Sequence, residues 1–339
     1  MQPCSICSFE ATLRRLARAA RVYVLMRRLL QLTGCTRQDL DRLAAEAPRL
    51  YRSRDEYHRV RDKWRHLDVP AEPLKRVQRA VAGWLADQIP VPRDIVGGIR
   101  GRSVRDHALP HVGAPCVATL DLRNFFPRSR ANVLQKQLLQ AGIAPDIGVL
   151  IRKLVSLRNY LPQGAPSSPR CAIIAALPMF SEMREAALAL GLTITFYFDD
   201  IAVSGDRARA AIGVLIDIAR RHGHSINHKK TRVLPPRVPQ LVAGQTVNGA
   251  LGAGEARRQA IEDAIRELAA NPWATRRDLR RIEGRIQHVR SLAPGTARRL
   301  TDLVARLVQV QSLVDSPWTP RESGRRVVCT GPETCLARR

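Results

Sequence analysis

The chain has 339 residues, 45% hydrophobic and only 4% aromatic, which is enough for two or three modules with cores of their own and excludes a small stapled scaffold. Its 56 Lys and Arg against 30 Asp and Glu give a net charge of +26, mostly Arg and spread along the whole chain. That field points to a polyanionic partner, nucleic acid first, with an Arg-rich composition bias or an anionic lipid surface as the alternatives.

At the start, Cys4-Ser-Ile-Cys7 has the spacing of half a zinc site. No second pair answers it nearby, and the seven scattered cysteines do not form a disulfide framework, so free thiols are expected. No run approaches the roughly 20 apolar residues of a membrane span. The N-terminal stretch lacks a signal-peptide core and cleavage site, which leads to the expectation of a cytoplasmic protein without a membrane partner.

Leu13, Leu16, Ala17, Ala20, Val24, Leu25 and Leu29 recur at helical spacing and predict one long helix over 10–32. Thr36 opens a second helix as its cap. Residues 52–65 are highly charged and carry no clear period, whereas 73–89 read as a helix with Leu74, Val77, Val81, Trp84 and Leu85 on one side. A Gly and Arg loop follows at 97–103. Residues 116–122 predict a strand, 131–141 a helix, and 161–169 a Pro/Gly loop that opens an apolar helix over 170–190. Thr195-Phe-Tyr-Phe-Asp-Asp-Ile-Ala-Val-Ser-Gly205 predicts a strand, a turn at the Asp pair and a returning strand. A helix over 208–222 and a small hairpin at 240–248 come next. The order is that of a ferredoxin-like split βαβ unit, hence an α+β fold class. After Gly254 the chain turns helical and basic to about Val314, and 317–339 has loop composition.

Two adjacent carboxylates inside an aromatic and β-branched run need a reason, since a buried charge costs several kcal/mol unless it is paired or binds a metal. A tight hairpin turn would bury Phe196 and Phe198 and hold Asp199 and Asp200 in a cleft. In a split βαβ sheet Asp121, at the end of its own strand, would lie beside that hairpin. Three hard oxygen ligands at one rim suit two Mg²⁺ ions acting in an in-line displacement. The plain alternative for the Asp pair alone is a solvated turn.

Tyr197-Phe-Asp-Asp200 resembles the Tyr-x-Asp-Asp box of reverse transcriptases. Asp121-Leu-Arg-Asn-Phe-Phe-Pro127 resembles their first catalytic box. Leu161-Pro-Gln-Gly-Ala-Pro-Ser-Ser-Pro169 resembles the template and nucleotide box, and Gly223-His-Ser-Ile-Asn-His-Lys-Lys-Thr231 the downstream lysine box. Gly97-Gly-Ile-Arg-Gly-Arg-Ser103, His107-Ala-Leu-Pro-His111 and Val242-Ala-Gly244 are similar to signatures of the bacterial retron type, with His107 where that family has Asn and Ala243 where it has Thr.

The resemblance implies a right-hand polymerase: an N-terminal helical region over 1–50, fingers over 51–115, palm over 116–250 with part of the fingers at about 130–170, a helical thumb over 251–316 and a tail over 317–339. It implies Asp121, Asp199 and Asp200 as metal ligands with the Leu122 carbonyl. It implies Arg65, Phe126, Gln163, Gly164 and Lys229 around the nucleotide, Phe126 being a steric gate against a ribose 2′-hydroxyl. Arg61 and Lys63 are weaker phosphate candidates. Arg100, Arg102, Tyr197, Arg285 and Arg298 would contact nucleic acid. The expected partners are a cognate noncoding RNA, its cDNA, deoxynucleotides and a separate effector chain in anti-phage defence, with a branched RNA–DNA product. Another bacterial reverse transcriptase, defence-associated or group II intron-like, and a catalytically idle RNA-binding scaffold stand as the alternatives.

Overall fold

The computed structural model describes residues 5–58 and 63–308. Cys4, Arg61 and the tail over 317–339 lie outside the described residues, as do the side chains of Cys7 and Lys63. The chain divides into two compact units after Gly254.

In the first unit, helix α1 (Ser5–Thr33) is followed by α2 (Arg37–Glu46). The Thr36 hydroxyl accepts from the Asp39 N–H at 3.1 Å and the Asp39 carboxylate accepts from the Thr36 N–H at 3.0 Å, a reciprocal box that satisfies two orphan donors. Strands β1 (Tyr51–His58) and β2 (Lys63–Pro70) form an antiparallel hairpin from the charged stretch that reads as no element in sequence. Its cross-strand pairs supply the missing period: His66 meets Asp55 at 2.9 Å, and Trp64 stands opposite Tyr57. Helix α3 (Glu72–Gln88) carries its five expected apolar positions to the interior, each at most 1% exposed. The buried Arg170 guanidinium donates to carbonyls at the C-terminal end of α3, those of Leu85, Ala86 and Ile89, where a cation is favoured. A short helix, α4 (Val104–Ala108), precedes the sheet.

The main sheet has strands β3 (Val117–Asp121), β4 (Thr193–Tyr197), β5 (Asp200–Ser204) and β6 (Arg232–Leu234) in the order β4-β5-β3-β6, every neighbouring pair antiparallel. Between β3 and β4 run α5 (Phe125–Arg128), α6 (Ala131–Gln140), α7 (Pro145–Val155) and α8 (Ser168–Ala189); α9 (Ala208–Arg221) joins β5 to β6. This is the split βαβ topology of an α+β fold, as expected. The fourth strand is β6, three residues that the sequence reading did not separate from the hairpin of β7 (Leu241–Val242) and β8 (Gln245–Thr246). The larger core cluster includes α8, through Cys171, Ile173, Ile174 and Phe180, and reaches α9, the sheet and α3, and a smaller one gathers Ala108, Val117, Ala202, Val242 and Val247.

The second unit holds α10 (Glu255–Ala270), α11 (Arg276–Arg290) and α12 (Pro294–Leu307), packed through Ile261, Ile265, Leu279, Ile282, Ile286 and Leu300.

Candidate active site

Residues 197–200 close a two-residue hairpin, because Tyr197 pairs with Asp200 and leaves Phe198 and Asp199 as the loop. Phe198 adopts φ 56°, a left-handed conformation that costs a non-glycine residue about 1–3 kcal/mol. It is the turn residue and only partly buried, whereas the sequence reading put it beside Phe196 on the buried face. Alternation explains the difference: Phe196 is inside a strand and fully buried, and Phe198 lies beyond the last paired position.

The neighbouring glycines hold this turn. The segment 94–97 runs beside β4, with the Phe196 N–H donating to the Asp94 carbonyl at 2.8 Å and the Val96 N–H to the Phe196 carbonyl at 2.8 Å. A Cβ on Gly97 would lie 2.6 Å from the Phe198 nitrogen, and one on Gly98 2.6 Å from the Phe198 ring. Only glycine permits that approach.

Asp121 is the register partner of Asp200. The Leu122 N–H donates to the Asp199 carbonyl at 2.7 Å, so the pair Leu122/Asp199 is hydrogen-bonded and Asp121/Asp200 is the closer, non-hydrogen-bonded pair. Their side chains therefore leave the same face of the sheet, and Asp199 sits in the adjoining turn. The same alternation directs the Leu122 carbonyl toward that turn. Like charges placed directly opposite are destabilising without a cation between them. Lys230 supplies one: its Nζ lies 2.5 Å from Asp121 Oδ1. It is brought there by the Asn227 N–H to the Asp121 carbonyl (2.7 Å) and the Arg123 N–H to the Ser225 carbonyl (2.8 Å). Lys229, expected near the nucleotide, is exposed, and its carbonyl accepts from Arg232. The Lys-Lys pair gave no signal to choose between them. Among the described residues no three His, Cys, Asp or Glu side chains are already closed up as a metal cage. The donor set of hard carboxylate oxygens at one rim nonetheless fits a divalent cation.

Around this centre, the Phe126 ring lies 5.7 Å from that of Phe198, and Tyr197 contacts His107 (5.8 Å) and Phe198 (5.4 Å). The Gln163–Gly164 loop is fastened to β2: the Asp68 N–H donates to the Gln163 carbonyl at 2.8 Å, and Gly164, at φ 118°, has its Cβ direction 3.0 Å from the Asp68 carbonyl. Asp68 is 4% exposed and accepts from the Ser53 hydroxyl (2.6 Å) and the Tyr160 phenol (2.9 Å). Burial and the Asp68 hydrogen bond push the Tyr160 phenol up to about 12. This hub escaped the sequence reading. It ties Arg65, on β2, to the same body as the Gln163 loop.

On the aspartate face of the sheet, farther along β4 and β5, His111 bridges the Ser204 and Thr195 hydroxyls at 2.7 Å each, and His107 Nδ1 meets Thr195 Oγ1 at 2.8 Å. Burial drives His107 down to about 3 and His111 to about 4, so both are neutral at physiological pH. The pair thus cross-links β4 and β5, the two strands of the aspartate hairpin.

Arg102 donates to the Val91, Pro92 and Ile95 carbonyls and holds the loop ahead of the turn, while Arg100 is exposed. In the second unit, exposed Arg285 donates to the Ala260 carbonyl at 2.8 Å, tying α11 to α10, and Arg298 is exposed on α12.

Residues 54–246 match the family model described as Reverse transcriptase (RNA-dependent DNA polymerase). The retron Mx65 reverse transcriptase of Myxococcus xanthus is 30% identical over 279 residues, covering 72% of this chain and 65% of that enzyme. The retron Ec86 reverse transcriptase of Escherichia coli is 26% identical over 249 residues, covering 72% of this chain and 77% of that one. Among solved structures, a telomerase from Candida albicans with a fragment of telomeric RNA aligns at 11% identity and TM-score 0.45, covering 76% of this chain and 56% of that chain.

Proposed function

Because the chain belongs to the reverse transcriptase (RNA-dependent DNA polymerase) family, we propose that it is an RNA-directed DNA polymerase of the retron type that copies its own structured noncoding RNA. The observation that carries this reading is the register that sets Asp121 opposite Asp200, with Asp199 in the adjoining turn. Asp121, Asp199, Asp200 and the Leu122 carbonyl would hold two Mg²⁺, whose chemistry is to activate the primer hydroxyl and stabilise the departing pyrophosphate.

The rest belongs to side chains. Arg65, on a hairpin docked to the Gln163 loop, presents a planar fork suited to a triphosphate. Gln163 and Gly164 support the incoming base pair, and Phe126, against Phe198, stands where a ribose 2′-hydroxyl would need room. Lys229 and Lys230 lie on the strap beside Asp121, the side from which charge on the nucleotide can be met. Arg100, Arg102 and Tyr197 border the template side. Residues 51–115 act as fingers, 116–250 as palm with finger segments at 130–170, and 251–316 as thumb, where Arg285 and Arg298 face nucleic acid.

The similarity of His107-Ala-Leu-Pro-His111 and Val242-Ala-Gly244 to retron signatures, and the retron enzymes among the relatives, support priming from a 2′-hydroxyl of the RNA and a branched RNA–DNA product. They also favour a cytoplasmic role in anti-phage defence with a separate effector. Sequencing the nucleic acid that copurifies with the chain tests this. The reading requires one short cDNA covalently joined to one RNA; an unjoined or heterogeneous cDNA would instead assign the chain to another reverse transcriptase lineage.

A further inference from the structure

The aspartate turn is braced from outside the sheet by a segment that is not itself a strand. β4 is an edge strand, and Phe196, the residue before Tyr197, turns both its N–H and its carbonyl outward. The N–H goes to the Asp94 carbonyl and the carbonyl takes the Val96 N–H, both at 2.8 Å, with Ile95 bridged to Phe196. A bridge of one pair is little to hold a loop against the conformational entropy of its residues. Yet this segment sets the turn, because Gly97, which follows Val96, lies against the Phe198 backbone.

A charge pair from a distant part of the chain fixes the segment. Arg184 on α8 forks onto the Asp94 carboxylate, Nε to Oδ2 at 2.6 Å and Nη2 to Oδ1 at 3.0 Å. The two side chains are only 24% and 19% exposed, and their chain neighbours Met183, Ile95 and Val96 are buried. For stability alone an apolar pair of similar volume would serve as well, since two charges must be taken out of water to meet there. A bidentate fork adds direction, which an apolar contact lacks. Arg184 also follows Phe180 by one helical turn, and the Phe180 ring lies 4.4 Å from that of Phe196. Helix α8 thus fixes Phe196 twice, by its ring and, through Asp94, by its N–H.

We infer that Asp94 and Arg184 are a positioning pair for the polymerising centre. The fork sets where the 94–97 segment lies along β4, and the segment sets where Asp199 stands relative to Asp121 and Asp200. Both residues act through the backbone of the turn. The inference rests on the RNA-directed polymerase reading and deepens it by naming what holds the turn carboxylate in place. Loss of the fork lowers turnover and loosens the divalent cation, because ligands that are no longer oriented bind and work less well. The nucleotide pocket, built on Arg65 and the Gln163 loop, is left as it was.

The test uses the full chain as wild type, Asp94→Asn, Arg184→Gln, Arg184→Lys and the Asp94→Asn/Arg184→Gln double variant, each well below its unfolding temperature. Primer extension on an RNA template separates kcat from the KM for deoxynucleotide. Mn²⁺ binding is measured without nucleotide, with Asp199→Ala as the baseline. Asp94→Asn and Arg184→Gln should each lower kcat and weaken Mn²⁺ about ten- to a hundredfold, with KM within about twofold. The double variant should be no worse than either single one, and Arg184→Lys, which keeps the charge without the fork, should fall between them and the wild type. Where a single variant does not fold, Arg184→Lys carries the comparison. Glu182→Gln breaks a pair with Arg221 and His222 on the same helix and should leave both readouts unchanged. A lowered unfolding temperature with kcat and Mn²⁺ affinity at wild-type values would make the pair structural only and overturn the inference. Effects that add in the double variant, or a loss confined to KM, overturn it too. A wild type that binds Mn²⁺ through Asp199 and makes no DNA counts against the polymerase reading alone, and the Mn²⁺ affinities of the variants still decide the pair.

Discussion

Replacing Gly97 by Ala puts a methyl carbon 2.6 Å from the Phe198 nitrogen and 2.9 Å from the Tyr197 carbonyl carbon, both backbone atoms that no rotamer change can move. Ordinary contact begins near 3.4 Å, so the aspartate turn or the 94–98 segment must shift by about 0.8 Å. Overpacking of this kind costs about 1–3 kcal/mol, and a displacement near 1 Å in catalytic groups costs about a hundredfold in rate. Gly101→Ala is the matched control: its φ of 79° carries the backbone strain of a left-handed alanine, but nothing lies within 4 Å of the new Cβ. Primer-extension rates and urea unfolding of both variants should show Gly97→Ala about a hundredfold slower and Gly101→Ala destabilised with its rate nearly intact. Equal rates in the two variants would refute the idea that Gly97 acts through the turn.

Acid should destabilise the fold early. His107, His111 and His224 are held by burial at about 3, 4 and 4 against 6.5 when unfolded, so the unfolded chain binds more protons below pH 6.5. Their contribution is intact above that pH and falls by about 3 kcal/mol in total between pH 6.5 and 5.5, which denaturant titrations at the two values will measure. Asp68→Ala removes the acceptor of Ser53 and Tyr160; unfolding should show a loss of about 2–4 kcal/mol, with a raised KM for deoxynucleotide as β2 and the Gln163 loop part. Phe126→Val should admit ribonucleotides, read as a rise in their incorporation relative to deoxynucleotides, with synthesis from deoxynucleotides retained.

The centre was legible in sequence because its parts are short-range or periodic. A strand ending in Asp121 and a strand–turn–strand around Asp199 and Asp200 meet as soon as the split βαβ order is recognised. The β1–β2 hairpin was not legible, since its stabilising pairs, Asp55 with His66 and Tyr57 with Trp64, exist only across strands. The Asp68 hub joins residues 53, 68 and 160, a convergence no local pattern encodes. Lys230 rather than Lys229 reaches Asp121 because the backbone bonds of Arg123 and Asn227 set the phase of the strap. Phe198 was misplaced by extending strand alternation one residue past the last pair.

The central claim is that the carboxylates of Asp121, Asp199 and Asp200 act together as the polymerising centre. Primer extension with Mg²⁺ on the copurified RNA, run beside RNA binding on the same preparations of wild type, Asp121→Ala, Asp199→Ala and Asp200→Ala, tests it most directly. Synthesis by the wild type, a loss on the order of a thousandfold in each variant, and RNA affinity within about threefold throughout are the expected results. A wild type that binds the RNA but makes no DNA, or any one of the three variants polymerising at the wild-type rate, would contradict it.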